Sequence, residues 1–127
     1  MSESSNTLHE TGLSPRSLDR HRAIVSVMEE LEAVDWYGQR AEAATDPELR
    51  AILEHNGDEE REHATMLLEW LRRTDEAFAG YFAEYLNQPG SIVARESDEK
   101  KDAKAAAGAA NSARSDGSLG IGSLKAR

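Results

Sequence analysis

Between residues 14 and 86 the apolar positions recur at steps of three and four and nowhere alternate, a pattern that predicts helices and no strands. Ser14-Pro15 offers an N-cap followed by proline at the first helical position, and the helical pattern then runs to about Ala44. Thr45-Asp46-Pro47-Glu48 interrupts it. The same Asp-Pro pair can cap a second helix from about Pro47 to Arg73, inside which Gly57 costs roughly 1 kcal/mol relative to alanine. Two long helices joined by so short a turn make an antiparallel hairpin. A third, shorter helix fits Asp75 to about Leu86, where Phe78, Tyr81, Phe82 and Tyr85 fall three and four apart, and Pro89-Gly90 stops it.

Polar residues interrupt the apolar seams of both long helices. At alternating steps of four and three the second helix reads Leu49, Leu53, Asn56, Glu60, His63, Leu67, Trp70. This reading sets Glu60 and His63 at the middle of the buried arc, where an ionised carboxylate costs several kcal/mol unless a cation neutralises it. On the first helix Ala23, Val27, Glu30, Val34, Tyr37 and Ala41 make a comparable line with one carboxylate in it. Pairing about Asp46 brings Glu30 and Glu60, 16 and 14 residues from it, to nearly the same height. Glu60 and His63 then offer an oxygen and a nitrogen ligand from one helical face, and Glu30 a second oxygen from the neighbouring helix.

That set is half of a di-iron carboxylate constellation, in which two helices give one Glu each and two others a Glu-x-x-His. A two-fold pair of chains completes both the four-helix bundle and a two-metal site. The competing readings are a monomeric three-helix bundle and a metal-free dimer interface in which His63 is the hydrogen-bonded partner of Glu60.

Other acidic groups follow helical spacing as well. His55, Glu59 and Glu62 line up beside the main seam, and Glu29, Glu32 and Trp36 share another side of the first helix, which leaves a tryptophan outside the main buried arc. Either group is a solvated face or binds ions at an entry or assembly interface. His9 and His21 have no ligand partner at useful spacing.

Composition narrows the functions. The 127 residues make about one small domain, and the absence of cysteine excludes disulfide frameworks, thiolate zinc sites and cysteine nucleophiles. The net charge of −9 is unevenly spread: residues 1–93 carry −11 and residues 94–127 carry +2. This balance argues against a nucleic-acid binder and for metal cations. No stretch approaches the ~20 apolar residues of a membrane span, and residues 1–12 have no leader pattern, so a soluble cytoplasmic protein is expected.

Four segments are expected: a flexible arm (1–13), a helical domain (14–93), a disordered linker rich in Ser, Ala, Lys and Asp (94–116), and a terminal peptide (117–125). In that peptide Leu119, Ile121 and Leu124 are spaced by glycines and serines, which suits an extended segment plugging shallow pockets on a partner, or a disordered end.

The runs His21 to Tyr37, Thr45 to Leu49, Asp58-Glu59-Glu60-Arg61-Glu62-His63 and Glu69-Trp70-Leu71-Arg72-Arg73 closely resemble the encapsulated ferritins. Residues 117–125 look like the cargo-loading peptide with which those proteins enter encapsulin nanocompartments. The resemblance implies an all-α half-ferritin protomer that dimerises into a ferritin-like four-helix bundle and assembles into an annular decamer. It implies a ferroxidase centre at a dimer interface, oxidising Fe(II) with O2 in a bacterial cytoplasm, inside an encapsulin shell that receives the Fe(III) for mineral storage. Glu30, Glu60 and His63 match the di-iron ligands, Glu29 and Glu32 an entry site, and Trp36 and Tyr37 residues near the metal path. His55, Glu59 and Glu62 match a peripheral cation site, for which Ca2+ is the expected ion.

Overall fold

The computed structural model describes residues 7–96, and these form helices and turns with no strand among them. Helix α1 spans Pro15–Ala43, α2 Pro47–Thr74 and α3 Glu76–Tyr85; a 3-10 turn follows at Val93–Arg95. The expected linker beyond residue 96 and the peptide 117–125 lie outside the described residues.

Each helix begins where a side chain can satisfy its free N–H groups. The Ser14 hydroxyl accepts from the Ser17 amide at 3.1 Å, the Asp46 carboxylate from the Leu49 amide at 2.8 Å, and the Asp75 carboxylate from the Phe78 amide at 3.0 Å. Proline follows the cap directly in α1 and α2. Between them Arg50 of α2 donates to the Ala44 carbonyl at 2.7 Å, tying the α1 end of the turn to the next helix. At the opposite end of the hairpin the Arg16 guanidinium donates to the Thr74 carbonyl. The hairpin is thus pinned at both ends, which fixes its register. In the last turn of α2, hydrogen bonds from Arg72 and Arg73 pull the Glu69 carboxyl down to about 2.

The chain divides after Gly80 into two compact units. The first holds α1, α2 and the start of α3. Its core is small: Ala23, Val27 and Leu71 are buried together, with Leu67, Leu68 and Phe78 packed on them. In the second, Asn87 ends α3 rather than Pro89-Gly90: it takes a left-handed φ of 59°, just after Leu86 has donated to the Phe82 carbonyl at 2.9 Å. Arg95 then donates to the Glu84 carbonyl at 3.3 Å and to Gln88 Oε1 at 3.4 Å.

The seam expected on α2 is displaced. The buried positions of that helix are Gly57, Ala64 and Leu71, seven residues apart, while Leu49 and Trp70 are 48% and 38% exposed. Glu60 and His63 stand at the margin of the contact with α1, not at its middle, and no polar or charged residue is fully buried among the described residues. Two helices enclose only the residues directly between their axes. Small side chains at those positions let the axes approach, and a seam traced through large apolar residues misses them. Ile24, Met28 and Leu31 of α1, with Ile52 and Met66 of α2, remain exposed.

Candidate metal centre

Glu60 and His63 share a face of α2 because three residues make nearly one turn, and the pinned hairpin sets Glu30 of α1 opposite them. One ligand atom from each of the three lies within 4.8 Å of the others. His63 Nδ1 is the hub, 3.2 Å from Glu60 Oε1 and 3.5 Å from Glu30 Oε1. All three are partly buried, with His63 the most open at 42% side-chain exposure.

The electrostatics are those of two carboxylates sharing one proton. The hydrogen bond with Glu60, then desolvation and the Glu60 charge, raise the Glu30 carboxyl above its ordinary value. The hydrogen bond from Glu30, helped by His63, lowers Glu60. For His63 desolvation is the largest single effect and acts downward, but the Glu60 hydrogen bond and the two negative charges together raise it. The mutual repulsion and hydrogen bonding of the three groups mark a place where a cation would satisfy the same oxygens and nitrogen. The donor set of two hard carboxylates and one imidazole suits a divalent first-row metal.

Among the described residues Glu30, Glu60 and His63 are the one group of three such ligands. Glu29 and Glu32 are exposed on α1 and do not join it. Trp36 is 48% exposed, as its place outside the seam leads one to expect, and Arg40 lies over its ring at 5.5 Å and over that of Tyr37 at 5.7 Å. His55 Nε2 lies 3.8 Å from Glu59 Oε2, and Glu59 Oε1 lies 4.0 Å from His63 Nε2, so two of the expected peripheral ligands do meet. The third, Glu62, lines an open groove with Met66 and Trp70. Two features escaped the sequence reading: the stacked Arg40, and the close approach of Gly57 to Tyr37. A glycine inside a long helix, one turn before a ligand, was the available signal for the second.

Fold and cluster define a class: a ferritin-like helical hairpin that carries, on its open edge, a group of two carboxylates and one imidazole able to hold a metal ion. The sequence model of the EncFtn-like family matches residues 6–89. The chain belongs to that family. It is 57% identical to the encapsulated ferritin-like protein of Rhodospirillum rubrum, across 98% of this chain and 92% of that one. It is 33% identical to the encapsulin nanocompartment cargo protein EncC of Myxococcus xanthus, across 69% of this chain and 68% of that protein. Among solved structures, a Nitrosomonas europaea protein superimposes with a TM-score of 0.65 at 54% identity, covering 67% of this chain and 96% of its own. With three helices and no strand in the described residues, the chain has the half-ferritin fold that its family resemblance implies.

Proposed function

We propose that this protein is a ferroxidase that oxidises Fe(II) with O2 at a di-iron site shared between two protomers, and that it works as cargo of an encapsulin shell. The observation that carries the reading is the cluster of Glu30, Glu60 and His63, with ligand atoms within 4.8 Å of one another at an open edge of the hairpin. One copy supplies two carboxylates and one imidazole, half of what a two-metal carboxylate site needs. A two-fold axis beside the cluster doubles the set and covers apolar residues that a single hairpin exposes, such as Met28 and Leu31.

The ligands explain the direction of the chemistry. Iron and oxygen are the substrates. His63 retains affinity for ferrous ion on entry, and the hard oxygens of Glu30 and Glu60 favour the ferric state, which lowers the cost of giving up an electron. Two adjacent ferrous ions let oxygen take electrons in pairs. Entry runs past Glu29 and Glu32, with Trp36 and Tyr37 beside the path, and a peripheral cation, Ca2+ by family resemblance, sits at His55, Glu59 and Glu62. The encapsulin-related names of two relatives support the cellular setting: an annular decamer held in an encapsulin nanocompartment in the bacterial cytoplasm, with Leu119, Ile121 and Leu124 of peptide 117–125 docking on the shell. No helix among the described residues is long and apolar enough to cross a membrane.

Anaerobic loading with Fe(II) followed by exposure to air tests the activity. A ferroxidase gives ferric absorbance well above the buffer rate. Metal binding without that acceleration would leave only a metal-binding cargo protein and refute the proposed activity.

A further inference from the structure

Gly57 is buried against α1, in the interior of a helix where glycine costs roughly 1 kcal/mol relative to alanine. The neighbouring helix supplies the reason: a Cβ placed on Gly57 would stand 3.2 Å from the Cβ of Tyr37 and 3.9 Å from an Arg61 guanidinium nitrogen. The first distance is below ordinary van der Waals contact, and a Cβ is fixed to its backbone and cannot rotate aside. To admit a methyl group the two helices must part by a few tenths of an ångström. Gly38 and Gly80, also helical, have nothing within 4 Å of such a Cβ, so the constraint is particular to Gly57.

The contact lies beside the cluster. Gly57 precedes Glu60 by one turn and Tyr37 follows Glu30 by two, so the helix spacing at this point sets how far Glu30 stands from Glu60 and His63. Ala64, 3% exposed, is buried one turn beyond Glu60. Metal–oxygen and metal–nitrogen bonds of ~2.0–2.2 Å hold two ligand atoms of one ion at most about 4.4 Å apart. His63 Nδ1 lies 3.5 Å from Glu30 Oε1 and 3.2 Å from Glu60 Oε1, inside that limit, and a few tenths of an ångström between the helices moves the Glu30 oxygen relative to both α2 ligands and so weakens their joint hold on one ion.

We propose that Gly57 is a positioning residue: its missing Cβ lets Tyr37 seat directly on α2 and so sets the interhelical spacing at which Glu30, Glu60 and His63 converge. This rests on reading the cluster as the metal centre. The test is Gly57→Ala in the full chain, with crystal structures of both proteins grown without metal and Co(II) titrations followed by its visible absorption. The expected results are a Gly57-to-Tyr37 backbone separation longer by a few tenths of an ångström and Co(II) binding weaker by about 10-fold or more, as for other changes that move a ligand without removing it. Thermal stability should not fall in parallel, because alanine favours the helix. In a Tyr37→Gly background, where the opposing Cβ is gone, Gly57→Ala should change Co(II) affinity by less than roughly twofold, the signature of a direct coupling.

An unchanged separation with unchanged affinity, or an equal loss in both backgrounds, overturns the proposal. Should Gly57→Ala alone not fold, recovery of the fold by Tyr37→Gly supports the steric contact and failure to recover it counts against it. A parent protein that binds Co(II) but does not oxidise Fe(II) ends the ferroxidase reading and leaves the spacing result standing. If the parent binds no Co(II), the metal reading fails and the crystallographic separation decides Gly57 alone.

Discussion

His63 places Nδ1 against both carboxylates and turns Nε2 toward Glu59, 4.0 Å away, so the nitrogen available to a metal is already aimed at the shared oxygens. On the proposed function, replacing Glu30, Glu60 or His63 by alanine removes a ligand outright. Each variant should lose more iron-dependent oxygen consumption than the 10–100-fold typical of an outer-shell change, and an oxygen electrode reads it. Protonation sets the pH behaviour. His63 is raised above its ordinary value, so ion binding near pH 7 should release protons and strengthen as pH rises. Proton release measured in weakly buffered Co(II) titrations checks this, and none at all would contradict the arrangement. The stability sign follows from the Glu30 shift: because the folded value of Glu30 is the higher one, its favourable contribution is complete below the unfolded value and is lost as pH rises through the raised one. Metal-free Glu30→Gln should therefore unfold at a higher temperature than the parent at neutral pH, while losing most of the stabilisation that added metal confers; calorimetry with and without Co(II) reads both effects.

The elements carry the cluster through their ends. Asp46 caps α2, and Arg50 ties the same turn to Ala44, so the turn decides which residues of α1 and α2 share a height. Asp46→Ala should cost roughly 0.5–2 kcal/mol in denaturant unfolding, the usual range for a lost N-cap. These helices were legible in the sequence because caps and prolines act within three residues of themselves: Ser14-Pro15, Asp46-Pro47 and Asp75 all stand where expected. The end of α3 was less so. Pro89-Gly90 is the stronger local signal, yet Asn87 stops the helix first by entering the left-handed region, a backbone choice that residue type permits but does not impose. The α2 seam was misplaced for a related reason. Burial there follows the line of helix contact through Gly57, Ala64 and Leu71, and two of those three are too small to register as a hydrophobic stripe.

At the scale of the molecule, the hairpin has few residues to hold it together. Leu71 is 2% exposed and centres a cluster of three buried residues, so Leu71→Ala should cost at the lower end of the roughly 2–5 kcal/mol range, since a small core can collapse around the gap. Large apolar side chains on the open faces, with a cluster that supplies only half of the proposed two-metal site, call for a second copy. Native mass spectrometry should show even multiples of the 14.0 kDa chain, with larger assemblies favoured by Fe(II). Fully active monomers would remove the shared site. The +2 tail is expected to act apart from this body: truncation after Asp116 should abolish packaging on co-expression with an encapsulin while oxygen consumption is unchanged.

Helix extent, the hairpin and the candidate ligands were determined by the sequence alone, because caps, prolines and i,i+3 spacing act over a few residues and need no distant partner. Matching residue counts on either side of Asp46 were enough to put Glu30 beside Glu60. Tertiary structure alone decided how far the two helices stand apart, and hence that the cluster lies at an open margin instead of in a sealed core. That distance is a property of two surfaces in contact: it depends on a Cβ absent at Gly57 meeting one present at Tyr37, twenty residues away in sequence and in contact only once the chain has folded.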